Sequence, residues 1–249
     1  MIPNPIHKVL STLCTHEVQY LLMGGQACVL YGGAEFSRDC DIAILCDRTN
    51  LDRLRAALTE LQAEVIAVPP FAAEFLERGH AVHFRCQSPD AKGLRLDVMS
   101  HMRGVAAFNE LWSRRTTLQD DSGTSIEVLA LPDLIRAKET QRDKDWPMIR
   151  RLVEAHYAEH SARSTSDDVR FWLANSRTPE MLLELAAMHA QTVCDLLPQR
   201  PLLQSAQDGK LERLVEALSD EENRKRQADR EYWQPLKAEL ESMRRGRRA

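Results

Sequence analysis

The sequence predicts an α+β fold, α/β-like in its first half, in which helices flank a mixed β-sheet and a C-terminal helical region follows. Three observations lead to this prediction. Short apolar runs alternate with segments of helical periodicity up to about residue 131. From Pro132 onward the apolar residues recur only at helical spacing. Four of the ten glycines lie close together, at 24, 25, 32 and 33, so the backbone must turn tightly there.

The first half of the chain predicts helices and strands in turn. Apolar residues at helical spacing predict a helix over 6–16, and the apolar run Val18–Met23, which ends at two glycines, predicts a buried strand. Asn50 is placed to cap the helix after the second strand, and a polar turn over 120–123 precedes the last strand. The remaining predicted elements are helices at 26–31, 50–64 and 71–77 and strands at 39–46, 65–68, 82–85, 94–99 and 126–129.

The second half predicts helices alone. They are expected at 133–144, 147–157, 169–174, 181–196 and 211–218. Half of the residues in 208–249 are charged, which is typical of a solvated helix. We therefore predict two domains, one over 1–131 that contains the strands and a helical one over 132–249.

The charges of the chain nearly balance, with 33 Lys and Arg against 37 Asp and Glu and a net charge of −4. This balance disfavours a protein that coats nucleic acid, which would be distinctly basic. No apolar run is long enough to cross a bilayer, and the N-terminus has no secretory signal, so we expect no membrane partner. The six cysteines contain no Cys-x-x-Cys pair, which predicts reduced, buried thiols in a cytoplasmic protein.

Two aspartates open the second predicted strand. Asp39 and Asp41 should project from one face, because alternate residues of a strand point the same way, while Cys40 and Ile42 pack on the other. Two neighbouring carboxylates repel each other unless a cation lies between them, and Mg²⁺ prefers oxygen ligands completed by substrate phosphates. The pair therefore predicts a metal site, with Mg²⁺ as the expected ion and Mn²⁺ as its alternative.

A third aspartate lies in the later predicted strand over 94–99. Its neighbours Leu96 and Val98 would face the core, which directs the Asp97 carboxylate to the opposite face. If this strand lies beside the strand that begins at Asp39, Asp97 joins the first two carboxylates. Three carboxylates can hold two metal ions, the arrangement that activates an attacking oxygen and stabilises a leaving one in phosphoryl transfer.

Gly24 and Gly25 lie between a predicted strand and a predicted helix. Such a step exposes backbone N–H groups that can hold phosphate oxygens, and the missing side chains let the phosphates come close. Each motif also has a simpler interpretation, since Asp-x-Asp commonly marks a solvated strand edge, Gly-Gly a turn, and Asp97 a surface residue. Their order along the chain favours a shared site.

In this order the motifs resemble those of the nucleotidyltransferase superfamily with the polymerase-β-type fold. That pattern is Gly-Gly or Gly-Ser at a strand end, an acid-x-acid pair on the next strand and a third acid on a later strand. The stretch Leu22–Gly32 looks like the bacterial branch that includes AbiEii-type toxins, the minimal nucleotidyltransferases and the aminoglycoside or lincosamide nucleotidyltransferases. The segment 131–145 is similar to the helix after the core in that branch, so the resemblance covers roughly residues 18–157.

The resemblance implies a nucleotidyltransferase catalytic domain over 1–131 and roles for its residues. The implied catalytic residues and metal ligands are Asp39, Asp41 and Asp97, and the implied nucleotide- and phosphate-binding residues are Gly24, Gly25, Ser37, Arg38 and Lys138. The sequence departs from the family at two positions. Gly25 stands where many relatives have serine, and Glu35 stands where many have a basic residue, for which Arg38 is the expected substitute.

The implied function is the Mg²⁺-dependent transfer of an NMP from an NTP to a hydroxyl or phosphate acceptor, with two metal ions and release of pyrophosphate. The acceptor stays open among a protein, a tRNA and a small molecule. The alternative is a nucleotide- or partner-binding component of a toxin–antitoxin or phage-defence system, with weak or no catalysis and a cognate partner protein. A sugar-nucleotide glycosyltransferase is disfavoured, because the Gly-Gly step lies too close to the Asp-x-Asp pair and Asp97 would have no role.

Overall fold

The computed structural model describes residues 4–119 and 123–246. Within these ranges the chain forms an α+β fold with a seven-stranded mixed sheet and a helical C-terminal region, which confirms the predicted class. The strands are β1 Tyr20–Met23, β2 Asp39–Ile44, β3 Glu64–Val65, β4 Val82–Arg85, β5 Arg95–Met99, β6 Thr116–Gln119 and β7 Ser125–Val128. The helices are α1 Asn4–Thr15, α2 Gly24–Leu30, α3 Arg48–Glu60, α4 Ala73–Glu77, α5 Phe108–Ser113, α6 Leu131–Lys138, α7 Asp145–His160, α8 Ser166–Asn175, α9 Pro179–Met188, α10 Ala190–Leu196, α11 Leu203–Gln207 and α12 Leu211–Gly246. None of the helices in these described ranges is both long and apolar enough to cross a membrane.

The strands follow one another across the sheet in the order β3-β4-β5-β2-β1-β7-β6. β2 pairs antiparallel with β1 and parallel with β5, and β5 pairs antiparallel with β4. All four residues of β1 are buried, as expected for a strand whose two faces are both covered. The condition placed on Asp97 is therefore met, because its strand β5 lies directly beside the strand of Asp39 and Asp41.

The chain packs as two compact units. The first comprises the described residues among Met1–Val29, Phe36–Ala137 and Tyr232–Ala249, and the second comprises Leu30–Glu35 and Lys138–Glu231. The first unit contains the whole sheet, whereas the second contains helices. The contacts thus group segments that a single cut after residue 131 would separate.

The start of α3 differs from the prediction. Asp47 caps this helix, because its side chain accepts the Asn50 backbone N–H at 2.7 Å, so the expectation that Asn50 is the cap is wrong. Asn50 is instead buried and joins the ends of two strands. Its side chain accepts the Gln19 N–H at 2.7 Å and donates to the carbonyls of Gln19 and Leu45 at 2.9 and 2.8 Å.

Several other boundaries also differ from the prediction. The strand expected over 65–68 is reduced to β3, and the helix expected over 133–144 ends at Lys138. The helix expected over 181–196 is broken at His189 into α9 and α10. Three elements were not predicted, α5, β6 and α11, because they are short and β6 has the polar sequence TTLQ instead of an apolar run. Of the turn expected over 120–123, residues 120–122 lie outside the described residues.

All six cysteines are free thiols. Cys28, Cys40 and Cys86 are buried, as predicted, and Cys46 is half-buried, but Cys14 and Cys194 are exposed, so the prediction of buried thiols is wrong for those two. Burial raises the pKa of the Cys86 thiol to about 11, which keeps that group protonated at neutral pH.

A buried ion-pair network holds the helices of the second unit. Arg200 donates to the carbonyls of Leu173 and Ser176 at 2.7 and 2.8 Å. Arg200 and Arg177 both bind the carboxylate of Glu221 on α12. Burial opposes the ionisation of Glu221, but the two guanidinium groups outweigh it, so the pKa of that carboxyl lies below its usual range. Removing one partner would leave an uncompensated buried charge.

Candidate functional site

The polar face of three adjacent strands carries the predicted carboxylates. Residues along β4, β5 and the first four positions of β2 alternate between buried and more accessible positions, so their apolar side chains share one face and their polar side chains the other. The polar face displays Asp39 and Asp41 from β2, Arg95 and Asp97 from β5, and His83 and Arg85 from β4. The alternation predicted from the sequence for the three aspartates is thus present in the structure.

The register of the strands arranges these residues in two rows across the sheet. In the first row Asp41 lies opposite Asp97, and Asp97 lies opposite His83. In the second row Asp39 lies opposite Arg95, which lies opposite Arg85. Side chains directly opposite each other in a sheet are close enough to interact. The two carboxylates of the first row are therefore direct neighbours.

The Gly24–Gly25 step brings the backbone close to the start of β2. Met23, the last residue of β1, lies opposite Asp41, and Gly24 has φ +67°. A Cβ on Gly24 would stand 1.9 Å from Asp41 Oδ2. The Gly25 N–H donates to the same oxygen at 3.4 Å. Only glycine fits at Gly24, because both the left-handed backbone and the contact with Asp41 exclude a side chain.

Ser37 lies at the same step. A Cβ on Gly25 would stand 2.5 Å from Ser37 Oγ, and this hydroxyl donates to the Asp39 carbonyl at 3.1 Å. The structure thus brings together four residues that the sequence singled out, namely Gly24, Gly25, Ser37 and Asp41. Ser37 thus places a hydroxyl beside Gly25.

Asp97 is paired with two side chains that the sequence analysis did not assign to the site. Its Oδ1 lies 2.7 Å from Arg95 Nε and 2.9 Å from His83 Nδ1. Arg95 Nη2 also lies 3.1 Å from His83 Nδ1. His83 Nδ1 can donate to Asp97 or accept from Arg95 but not both, so only one of these two contacts of His83 is a hydrogen bond at any moment. The hydrogen bond from Arg95 Nε to Asp97 does not involve His83.

These partners favour the ionised form of Asp97. Burial alone would raise the pKa of this carboxyl, but the hydrogen bonds with His83 and Arg95 outweigh burial and place the pKa below its usual range. The alternation of β4 and β5 could have placed His83 and Arg95 on the polar face from sequence. It could not have shown which strands are neighbours, and therefore could not have paired the two residues with Asp97.

Two other predicted residues lie elsewhere. Arg38 belongs to the segment before β2, where its guanidinium carbon is 6.0 Å from the ring centroid of the exposed Phe36. Lys138 belongs to the second unit and is buried, with its Nζ 3.4 Å from Asp145 Oδ1. Asp145 also accepts a hydrogen bond from Arg142 Nε at 2.7 Å. The nucleotide-binding roles of Arg38 and Lys138 stay predictions.

Asp39 and Asp41 offer carboxylate oxygens of the kind that hold a divalent ion. Asp39 and Asp41 share a face beside the Gly24–Gly25 step, and Mg²⁺ is commonly held by one or two carboxylates together with substrate phosphates. Asp97 already gives one oxygen to Arg95 and His83. Within 4–119 and 123–246 no group of three or more His, Cys, Asp or Glu residues is arranged to hold a metal ion. The arrangement with two metal ions stays a prediction.

The chain matches no protein-family model and no curated protein. The geometry of the site's own residues and the order of its motifs are therefore the basis for assigning it a function.

Proposed function

We propose that the protein is a Mg²⁺-dependent nucleotidyltransferase that moves an NMP from an NTP to an acceptor hydroxyl or phosphate and releases pyrophosphate. One observation carries the proposal. The Gly24–Gly25 step lies so close to Asp41 that no side chain fits between them, and Asp97 lies next to Asp41 in the sheet. The spacing of these motifs, which resembles that of the nucleotidyltransferase superfamily, supports the same function.

In this proposal the glycine step would bind the triphosphate and the aspartates of β2 would bind the metal ion. The backbone N–H groups at the Gly24–Gly25 step would bind β- and γ-phosphate oxygens, as N–H groups at a helix start do. The Gly25 N–H donates to Asp41 Oδ2 in the structure, so a phosphate oxygen would replace this contact. Asp39 and Asp41 would hold Mg²⁺, which when bound would neutralise charge on the triphosphate.

The transfer is balanced as a substitution at the α-phosphorus. An acceptor oxygen forms a bond to the α-phosphorus, and the bond from that phosphorus to the bridging oxygen of the β-phosphate breaks. The electron pair of the broken bond leaves with pyrophosphate, and the proton of the acceptor passes to solvent. Asp97, Arg95 and His83 form a fixed charged group beside Asp41, which would orient the reacting groups.

The test is transfer of label from each α-labelled NTP, with Mg²⁺ or Mn²⁺, to any acceptor in a whole-cell extract. We expect Asp41→Asn to lower the labelling at least about a hundredfold, the scale seen when a group that stabilises transition-state charge is removed. Asp52→Asn is the matched control, because Asp52 is an exposed residue on α3 that pairs with Arg55. Equal labelling by the Asp41→Asn and Asp52→Asn variants would overturn the proposal.

A second function is favoured by the state of Asp97. A carboxylate engaged by both Arg95 and His83 is a poorer metal ligand than a carboxylate with two open oxygens. This suits a nucleotide- or partner-binding component of a toxin–antitoxin or phage-defence system with weak or no catalysis. Calorimetry decides between the two functions, because tight NTP binding without release of pyrophosphate in any extract would support the binding protein and contradict the enzyme.

A further inference from the structure

Two arginines lie directly opposite each other on the polar face of the sheet. Arg85 on β4 and Arg95 on β5 are register partners, so their Cα atoms are neighbours across the two strands. Like charges directly opposite each other in a sheet are destabilising. Such a pair therefore lowers the stability of the fold unless an anion lies between the two side chains.

The neighbours compensate only one of the two charges. Arg95 donates to Asp97, and Asp39 lies on its other side in the register. Arg85 is exposed, and within the described part of the chain its side chain takes part in no hydrogen bond or ion pair. Glu64 on β3 is the other register partner of Arg85, yet the two form no ion pair within the described residues. The Arg85 charge is thus available to a ligand.

The arginine pair and the glycine step lie on opposite sides of the carboxylates. The strand order β4-β5-β2-β1 places Arg85 at one end, Asp39 and Asp41 on β2, and Gly24 after β1 at the other end. Neighbouring strands are about 4.8 Å apart, so a group at Arg85 lies about two strands from the carboxylates of β2. In a phosphoryl transfer the attacking and leaving oxygens lie roughly in line on opposite sides of the phosphorus.

We propose that Arg85 and Arg95 form an anion subsite that binds a phosphate group of the acceptor. The proposal rests on the proposed function, in which the pyrophosphate leaves from the side of Gly24 and Gly25. The acceptor then approaches from the side of β4 and β5, where Arg85 and Arg95 lie. The acceptor chemistry this selects is a hydroxyl or phosphate with a phosphate group close by, in a small metabolite or at the end of a polynucleotide. The arginines bind this phosphate and do not take part in the chemical step.

The experiment follows the arginine Nε–Hε resonances of the full chain by NMR while inorganic phosphate is added. We expect saturable shifts of the Arg85 and Arg95 signals. Arg85→Gln should weaken phosphate binding on the order of tenfold, the usual effect of losing one charge-assisted hydrogen bond. Arg55→Gln is the matched control, because Arg55 is an exposed arginine on α3 that should leave the affinity unchanged. Shifts that do not saturate, or equal affinities in the two variants, would overturn the subsite.

Two further probes identify the source of the phosphate. Glycerol 3-phosphate carries a phosphate and a free hydroxyl, and a short oligoribonucleotide carries the same groups in a polymer. Tighter binding of either one than of inorganic phosphate, with the gain lost in Arg85→Gln, supports the subsite and names the source. If neither binds more tightly, the assignment to an acceptor is wrong.

The failure of the subsite can be told from the failure of the proposed function. Asp41→Asn should keep the phosphate-induced shifts of Arg85 and Arg95, because the subsite does not use Asp41. Wild-type protein that binds phosphate at the arginines but labels no acceptor would contradict the enzyme alone. Protein that labels an acceptor but shows no phosphate effect at the arginines would contradict the subsite alone.

Discussion

Gly24 is the residue on which the geometry of the site most directly depends. It adopts φ +67°, and a methyl group placed on it would meet the Asp41 carboxylate at 1.9 Å. Gly93 also has a positive φ, +83°, but a methyl group placed on Gly93 would have no atom within 4 Å. The two glycines therefore separate the cost of backbone strain from the cost of a steric clash.

We expect Gly93→Ala to lower the free energy of unfolding by about 1–2 kcal/mol, the cost of a left-handed backbone in an L-residue. Gly24→Ala should cost about 3 kcal/mol or more, because the displacement of Asp41 adds an overpacking penalty. Urea unfolding followed by circular dichroism measures both values. Equal losses would show that Asp41 moves aside freely and that the close contact is not part of the site.

At this scale the sequence predicted which side chains share a face but not which of them touch. Strand alternation was sufficient to put Asp39, Asp41 and Asp97 on one side of the sheet. The pairing of Asp97 with His83 depends on β4 lying beside β5, which is a long-range contact that local periodicity does not contain. The pairing of Arg85 with Arg95 could not be predicted for the same reason, because it also depends on β4 lying beside β5.

Among the elements, α3 has two polar side chains near its start that bond to backbone groups, and the buried Asn50 makes more hydrogen bonds than the N-cap Asp47. Asp47 supplies one hydrogen bond to the first turn, whereas Asn50 makes three, to both backbone groups of Gln19 and to the Leu45 carbonyl. Asn50 is 2% exposed, so water cannot replace these bonds after a substitution.

We therefore expect Asn50→Ala to lower the free energy of unfolding by about 2–4 kcal/mol, since buried backbone groups lose their partners. Asp47→Ala should cost only about 1 kcal/mol, the usual effect of losing an N-cap. Asn50→Asp is the more selective variant, because an aspartate accepts the Gln19 N–H but cannot donate to the two carbonyls. Thermal or urea unfolding ranks the losses in stability of the three variants. A larger loss in Asp47→Ala than in Asn50→Ala would contradict the structural role assigned to Asn50.

The elements that the sequence predicted well are those with strong local signals. β4 was predicted at its exact bounds, because Val82 and Phe84 alternate with polar residues between clear turns. No glycine or proline lies at the break between α9 and α10 at His189, so the local sequence did not predict this break. β6 is stabilised by its pairing with β7 and not by its own polar sequence.

For the whole molecule, the division into units is set by the last part of the chain. Residues from Tyr232 onward belong to the unit that contains the sheet, although α12 begins in the other. Tyr232 lies against the tight turn before β4, where Gly79 has φ +95° and a Cβ on it would stand 2.8 Å from the Tyr232 hydroxyl. Pro235 lies inside α12 three residues after Tyr232, and a proline there removes one intrahelical hydrogen bond close to the change of unit.

Glu239 on α12 is the polar anchor of this contact. It lies 2.7 Å from His80 Nε2 and accepts a hydrogen bond from Arg78 at 2.7 Å, and His80 itself is 1% exposed. The hydrogen bond with His80, together with the charge of Arg78, lowers the pKa of the Glu239 carboxyl. A carboxyl whose pKa is lower in the folded than in the unfolded protein stabilises the fold above its unfolded pKa.

We expect the contribution of Glu239 to be complete at neutral pH and to disappear as the pH falls from about 4.3, the ordinary value for glutamate, through the lowered folded pKa. Glu239→Gln should therefore cost about 1 kcal/mol at pH 7 and progressively less below pH 4, since glutamine keeps the shape but not the charge. Glu241→Gln on the same helix is the matched control, because Glu241 is exposed and pairs only at 3.6 Å with Arg245 among the residues described. Urea unfolding at a series of pH values gives the difference between the two variants. If that difference does not shrink on acidification, the charge of Glu239 does not fasten the end of α12 to the sheet-containing unit.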